Sequence, residues 1–173
     1  PEPAAGEVLI RMKRIGVCGS DIHVYLGKHA LTRYPVVQGH EVSGVVEKLG
    51  AKVRGLAPGD PVTIQPQVIC GTCYPCTHGA YHICDHLKVM GFQTTGAGSE
   101  FFAVDAAKVL KLPRGMSFDH GAMMEPLAVA VHALARAGSV AGKGVLVLGA
   151  GPIGNLVAQA ARGLGAARVL ITD

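Results

Sequence analysis

Apolar and polar residues alternate through the opening stretch GEVLIRMKRIGVC, with Val8, Ile10 and Met12 on one face, and a two-residue period predicts a half-buried strand. VSGVVEKLG is rich in β-branched residues, and DPVTIQPQ and SEFFAVDAAKVLKL repeat the strand pattern between glycine and proline punctuation. The first part of the chain is therefore expected to be β-rich. After LPRGMSF the period lengthens: in DHGAMMEPLAVAVHALARAG, Ala128, Val131, Leu134 and Ala135 recur at helical spacing up to a stop at Gly138. KGVLVLGAGPIGNLVAQAARGLGAARVLITD then reads as strand, glycine turn, helix and strand, the start of a parallel βαβ unit with a continuously apolar first strand. The expected division is a β domain over 1–138 and a first βαβ unit over 139–173. Two parallel strands cannot cover their own faces, so this second domain is expected to be incomplete. The opening PEPAAGE, without methionine, predicts that the natural start lies upstream.

Composition narrows the function classes. The 173 residues are 49% hydrophobic and 16% charged, a globular balance with no disorder signature. The formal charge of +4 comes from basic residues spread along the chain, without a run and without interleaved aromatics, so nucleic acid is not an expected partner. The longest apolar stretches, Leu127 to Leu134 and Val145 to Ala150, are too short for a membrane span, and no signal-like segment opens the chain. A cytoplasmic protein without membrane partners is expected.

The cysteines carry the first chemistry. Cys70, Cys73, Cys76 and Cys84 follow C-x2-C-x2-C-x7-C, a spacing that lets one loop wrap four thiolates around a tetrahedral ion, for which zinc is the natural occupant. Disulfides between such close neighbours would close very small loops. A ferredoxin run would continue as C-x3-C-P, which it does not. Four protein ligands leave no open position, so this zinc is structural. Cys18 in GVCGSDIH, and His40 and Glu41 in QGHEVSG, together offer thiolate, imidazole and carboxylate, from which three ligands leave a fourth position open. Glu125 in EPLA adds a carboxylate at a predicted helix start, where an acid is also favoured by the helix dipole alone.

GAGPIG supplies Gly149, Gly151, Pro152, Ile153 and Gly154 between a predicted strand and helix, the context in which a G-x-G-x-x-G turn admits a pyrophosphate to a helix N-terminus. Asp173 ends the next strand about twenty residues on, where an acid accepts from an adenosine ribose 2′-hydroxyl and repels a 2′-phosphate; NAD is preferred to NADP.

In this order, GVCGSDIH, GHEVSG, CGTCYPC, EPLAVAVHA and GAGPIG resemble the zinc-dependent medium-chain dehydrogenases, and the resemblance covers essentially the whole chain. It implies a mixed fold, α/β plus β: a chaperonin-like β-barrel catalytic domain with a protruding structural-zinc lobe at 70–84, followed by the start of a Rossmann domain. The chain looks like the N-terminal half of such an enzyme. The resemblance makes Cys18 and His40 ligands of a catalytic zinc. Glu41 or Glu125 is then the carboxylate nearest the ion, and the sequence leaves that choice open. Ser20 matches the hydroxyl that takes the substrate's proton and His23 the terminal base of the relay. Glu125, where alcohol dehydrogenases of the ethanol type carry cysteine, resembles polyol (sorbitol, L-iditol, xylitol) and threonine dehydrogenases. Val24 stands where sorbitol dehydrogenases tend to have an aromatic residue. A homo-oligomer, a tetramer, is implied as well.

The chemistry agrees. An alcohol releases hydride readily only near its alkoxide, and zinc lowers the pKa of bound water from about 15.7 to about 7. A similar shift in an alcohol, about 9 units at about 1.36 kcal/mol each, is worth about 12 kcal/mol, more than any single hydrogen bond. The expected activity is oxidation of a secondary alcohol of a polyol with hydride transfer to NAD. L-Threonine or a butanediol is the alternative substrate. A non-enzymatic zinc-binding scaffold predicts loss of Cys18, Ser20, His23, His40 or Glu125, and all are present.

Overall fold

A computed structural model describes all 173 residues. The first strand, β1 (Glu7–Ile15), pairs antiparallel with β2 (Val42–Leu49) on one side and β6 (Phe101–Asp105) on the other; β3 (Pro61–Ile64) and β7 (Val109–Lys111) extend the sheet to the order β6-β1-β2-β3-β7. Val8 and Ile10 are fully buried in its core with Val42, Val46, Val62 and Val104, as the alternation predicts. Leu9 is buried too, and register shifts between Leu9 and Ile10 and between Met12 and Arg14 interrupt the ladder.

SEFFAVDAAKVLKL forms two strands, β6 and β7. Asp105 ends β6, and its carboxylate accepts from the Ala107 N–H, turning the chain through a short 3-10 segment into β7. A smaller ribbon, β4 (Gln67–Val68) with β5 (Lys88–Val89), frames the four-cysteine segment, which holds α2 (Tyr74–Thr77) and a 3-10 turn over Tyr81–Ile83. Neither α2 nor α1 (Gly19–Tyr25), which lies between β1 and β2, was visible in the periodicity.

The long predicted helix is broken at Met123 into α3 (Phe118–Ala122) and α4 (Met124–Ala137). α4 stops where glycine was expected to stop it, at Gly138 with φ +82°. Its buried face is Pro126, Ala130 and Leu134; of the four positions picked out by the spacing, Leu134 is buried, whereas Ala128, Val131 and Ala135 are exposed. β8 (Gly144–Leu148), α5 (Pro152–Gly163) and β9 (Arg168–Thr172) form the parallel βαβ unit. Leu134 and Val140 pack with Val145, Val157, Ala161 and Val169. The opposite face of the two strands, Leu146, Leu148 and Leu170, is exposed, so β8 is buried on one face only.

By packing the chain divides into two compact units, Pro1–Ala122 and Met123–Asp173. They part ahead of α4, whereas the boundary read from the sequence falls after it, because α4 packs on α5. No helix is long and apolar enough to cross a membrane.

Candidate metal centres and cofactor turn

The four-cysteine segment gathers its sulfurs as the spacing predicts. Four thiolates around one zinc at about 2.3 Å stand about 3.8 Å apart. Here Cys73 Sγ lies 3.8 Å and Cys70 Sγ 3.6 Å from Cys84 Sγ, and the Sγ atoms of Cys70, Cys73, Cys76 and Cys84 all fall within 4.8 Å of one another. Backbone N–H groups aim at these sulfurs: Cys73 at Cys70 Sγ (3.3 Å), and Cys70 and His86 at Cys84 Sγ (3.4 and 3.3 Å). N–H donors from Thr72 and Cys73 bring the Cys70 thiol down to about 5, favouring a thiolate. Partial burial and then the neighbouring thiols push Cys76 up to about 12. Four thiols this close cannot all ionise without a cation among them. The cluster fits a structural zinc site.

Two segments far apart in sequence build the second set. Cys18 caps α1, and His40 and Glu41 lie just before β2; their ligand atoms fall within 4.8 Å of one another, with Cys18 half-buried and His40 and Glu41 buried. The Gly16 N–H donates to the Glu41 carbonyl at 2.7 Å, and a Cβ at Gly16 would land on the Glu41 carboxylate. Burial raises the Glu41 carboxyl above the usual carboxylate range, with the charge of His40 opposing. His40 Nδ1 is buried and has no hydrogen-bond partner; the Phe92 ring packs against the imidazole at a centroid distance of 4.8 Å. Thiol, imidazole and carboxylate within reach of one point are a zinc-type donor set, so the residues fit the metal.

Sequence reasoning missed Asp21. Its Oδ2 accepts from the Cys18 N–H at 2.9 Å, its Oδ1 stands 3.6 Å from His40 Nδ1, and the residue is buried. The signal was present: Asp21 is the third residue after the helix-capping Cys18, the position of the acid in a capping box. A carboxylate behind the imidazole of a ligand histidine sets its tautomer and orientation. Ser20 and His23 also ride on α1, three residues apart and therefore on neighbouring positions of one helix face; Ser20 is half-buried and His23 exposed.

In the second unit the glycine turn has its expected context. β8 ends at Leu148, Gly149 has φ +102°, Gly151 caps α5, and Pro152 and Ile153 open that helix. A Cβ at Gly154 would collide with the Gly149 carbonyl, so helix and turn approach as closely as they do only with glycine there. Asn155 Nδ2 donates to the Ala150 carbonyl at 2.7 Å, bracing the loop. Leu148 pairs with Thr172, so Asp173 follows β9 at the same sheet edge as the turn. Glu125 lies in the first turn of α4 and is half-buried.

The alcohol dehydrogenase GroES-like domain family matches residues 4–114. L-Threonine 3-dehydrogenase of Pyrococcus furiosus is 39% identical over 176 residues, covering 100% of this chain and 50% of its own length. Sorbitol dehydrogenase of Ovis aries is 42% identical over 176 residues with the same coverage. Among solved structures, a protein described as a zinc-binding dehydrogenase from Sinorhizobium meliloti 1021, bound to NADP, superposes with a TM-score of 0.93 at 35% identity, covering 100% of this chain and 50% of that one. The chain spans about half the length of the curated relatives it matches. Five ordered motifs, a GroES-like domain and these likenesses together place the chain in the zinc-dependent medium-chain alcohol dehydrogenase family.

Proposed function

We propose that the full-length protein oxidises a secondary alcohol of a polyol to a ketone, with hydride transfer to NAD. The observation that carries this reading is the convergence of Cys18, His40 and Glu41 beside the helix that bears Ser20 and His23. A zinc ion held by Cys18, His40 and a carboxylate supplies Lewis acidity toward the substrate hydroxyl, and NAD supplies the hydride acceptor.

The chain's own residues do the rest. Ser20, half-buried, takes the hydroxyl proton, and exposed His23 passes it to solvent, a route from a shielded to an open position along one helix face. Asp21 sets its carboxylate behind the His40 ring, 3.6 Å from Nδ1, where it favours one orientation of the imidazole. Glu41 brings negative charge to the donor set, and the family resemblance assigns to Glu125 the orienting of the reacting group. Gly149 to Gly154 receive the pyrophosphate and Asp173 the adenosine ribose. Cys70, Cys73, Cys76 and Cys84 hold the structural zinc, and a reducing cytoplasm keeps the five thiols free. In this reading residues 1–138 are the catalytic part, 139–173 open the cofactor domain, and the enzyme is a homotetramer.

The polyol assignment draws support from Glu125 and from likeness to a sorbitol dehydrogenase; likeness to an L-threonine 3-dehydrogenase supports threonine as the second reading, and a butanediol as a further variant. The deciding measurement is the rate of NAD reduction by the full-length protein with sorbitol, xylitol, L-threonine, 2,3-butanediol and ethanol. Sorbitol or xylitol should give the highest kcat/KM. Threonine or butanediol in first place overturns the polyol assignment, and no turnover of any of them overturns the activity.

A further inference from the structure

We infer that Gln38 is a positioning residue for the Cys18, His40 and Glu41 site, acting through Asp21; the inference rests on reading that set as a metal site. The two candidate ligands Cys18 and His40 come from separate segments, one after β1 and one before β2; the β1–β2 ladder ends at Ile15 and Val42, the Gly16 N–H bond to the Glu41 carbonyl extends the pairing, and both ligands lie beyond the ladder's end. Gln38 bridges the gap. Its Nε2 donates to the Asp21 carbonyl at 2.9 Å and to Asp21 Oδ1 at 3.1 Å, so both hydrogens of one amide are used on one residue.

Asp21 is the residue through which this brace acts. Its carboxylate is buried, one oxygen accepts from the Cys18 N–H, and the other, the oxygen that Gln38 holds, is the one facing His40 Nδ1. Gln38 lies two residues before His40 and Asp21 three after Cys18. The amide therefore ties the His40 segment to the Cys18 segment while fixing the rotamer of the carboxylate that stands behind the imidazole. Phe92 packs on the same ring. Without the two donors, a buried carboxylate would have to find another partner, and its Oδ1 would no longer be held where it faces His40 Nδ1.

The test uses the full-length protein carrying both metals. Gln38→Met keeps the length of the side chain and removes both donors. Gln38→Glu keeps its shape but sets a carboxylate against that of Asp21. Partners behind metal ligands typically contribute 10- to 100-fold in metal affinity. Gln38→Met should release the ion held by Cys18 and His40 to a chelator about tenfold faster than wild type, and Gln38→Glu faster still. The ion of the four-cysteine lobe should leave at the wild-type rate. With Co(II) replacing zinc at the Cys18 site, the visible ligand-field bands should shift in both variants. Release rates within about twofold of wild type and unshifted bands overturn the inference, even if melting temperature falls, since a purely structural hydrogen bond would change stability alone. Should Gln38→Met also loosen the lobe ion, the milder Gln38→Asn decides: release several-fold faster than wild type supports the brace, and a wild-type rate overturns it. A wild-type protein that binds one ion instead of two overturns the metal reading itself, a different failure from that of Gln38.

Discussion

Cys18 is half-buried, and its backbone N–H, not its thiol, holds the hydrogen bond to Asp21. Replacing the thiol therefore separates metal binding from folding. In metal-free protein, Cys18→Ala should change stability by no more than about 0.5 kcal/mol, the range for substitutions outside a packed core. It should remove one of two zinc ions together with turnover, as read by metal analysis and NAD reduction. A variant that kept both ions would take Cys18 out of the site. Gly16 gives a complementary handle on Glu41. Because a Cβ at Gly16 meets the Glu41 carboxylate, Gly16→Ala should push that carboxylate aside without changing any donor. If Glu41 holds the ion, Gly16→Ala and Glu41→Gln should weaken the same ion; if Glu125 does so instead, Gly16→Ala should leave metal content at two per chain. Asp21 shows what a residue-level reading of sequence can overlook: an acid three positions after a cysteine looks like part of GSDIH until the two ends of the capping box are seen to face His40.

Among the elements, legibility followed the apolar pattern. β1, β8, α5 and β9 each carry a run or period that burial demands, and each forms where expected. α1 was missed because it has no apolar stripe: only Asp21 and Val24 are buried, while Ile22 and Tyr25 are exposed. SEFFAVDAAKVLKL divides into β6 and β7 because a local Asp105 hydrogen bond competes with the ladder. In α4, many apolar residues leave several faces possible, and packing on α5 selects Pro126, Ala130 and Leu134. Leu134→Ala should therefore cost about 2–5 kcal/mol, measured by chemical denaturation, whereas Val131→Ala on the exposed side should cost much less. The lobe is a different kind of element, with scarcely any buried apolar side chain of its own between Cys70 and Cys84. Its order must come from the sulfurs and their metal. Cys76→Ser should raise amide exchange over residues 70–84 while the β6-β1-β2-β3-β7 sheet keeps its protection; unchanged exchange in the lobe would contradict a structural zinc.

For the molecule as a whole, the candidate chemistry divides between the compact units, except that Glu125, proposed for the catalytic site, lies on α4 in the second. All the sulfur ligands and the His40–Glu41 pair lie in Pro1–Ala122, and the glycine turn and Asp173 lie in Met123–Asp173. Such a division predicts that cofactor choice and metal binding respond to separate substitutions. Asp173 is the sharpest case. It is exposed beyond β9 at the edge where Gly149 turns, and it makes no contact on which either compact core depends. A carboxylate there accepts from a ribose 2′-hydroxyl and repels a 2′-phosphate, so the wild-type full-length protein should prefer NAD to NADP. Asp173→Ser removes the charge, retains a short polar side chain and should narrow that preference by at least tenfold in the ratio of kcat/KM values, mainly through weaker use of NAD. Zinc content should stay at two ions per chain and melting should be unchanged, because neither set of ligands lies near this position in the chain. Equal use of NAD and NADP by the wild type would take the ribose contact away from Asp173. A loss of zinc in Asp173→Ser would instead show that the two units do not divide the work as their packing implies.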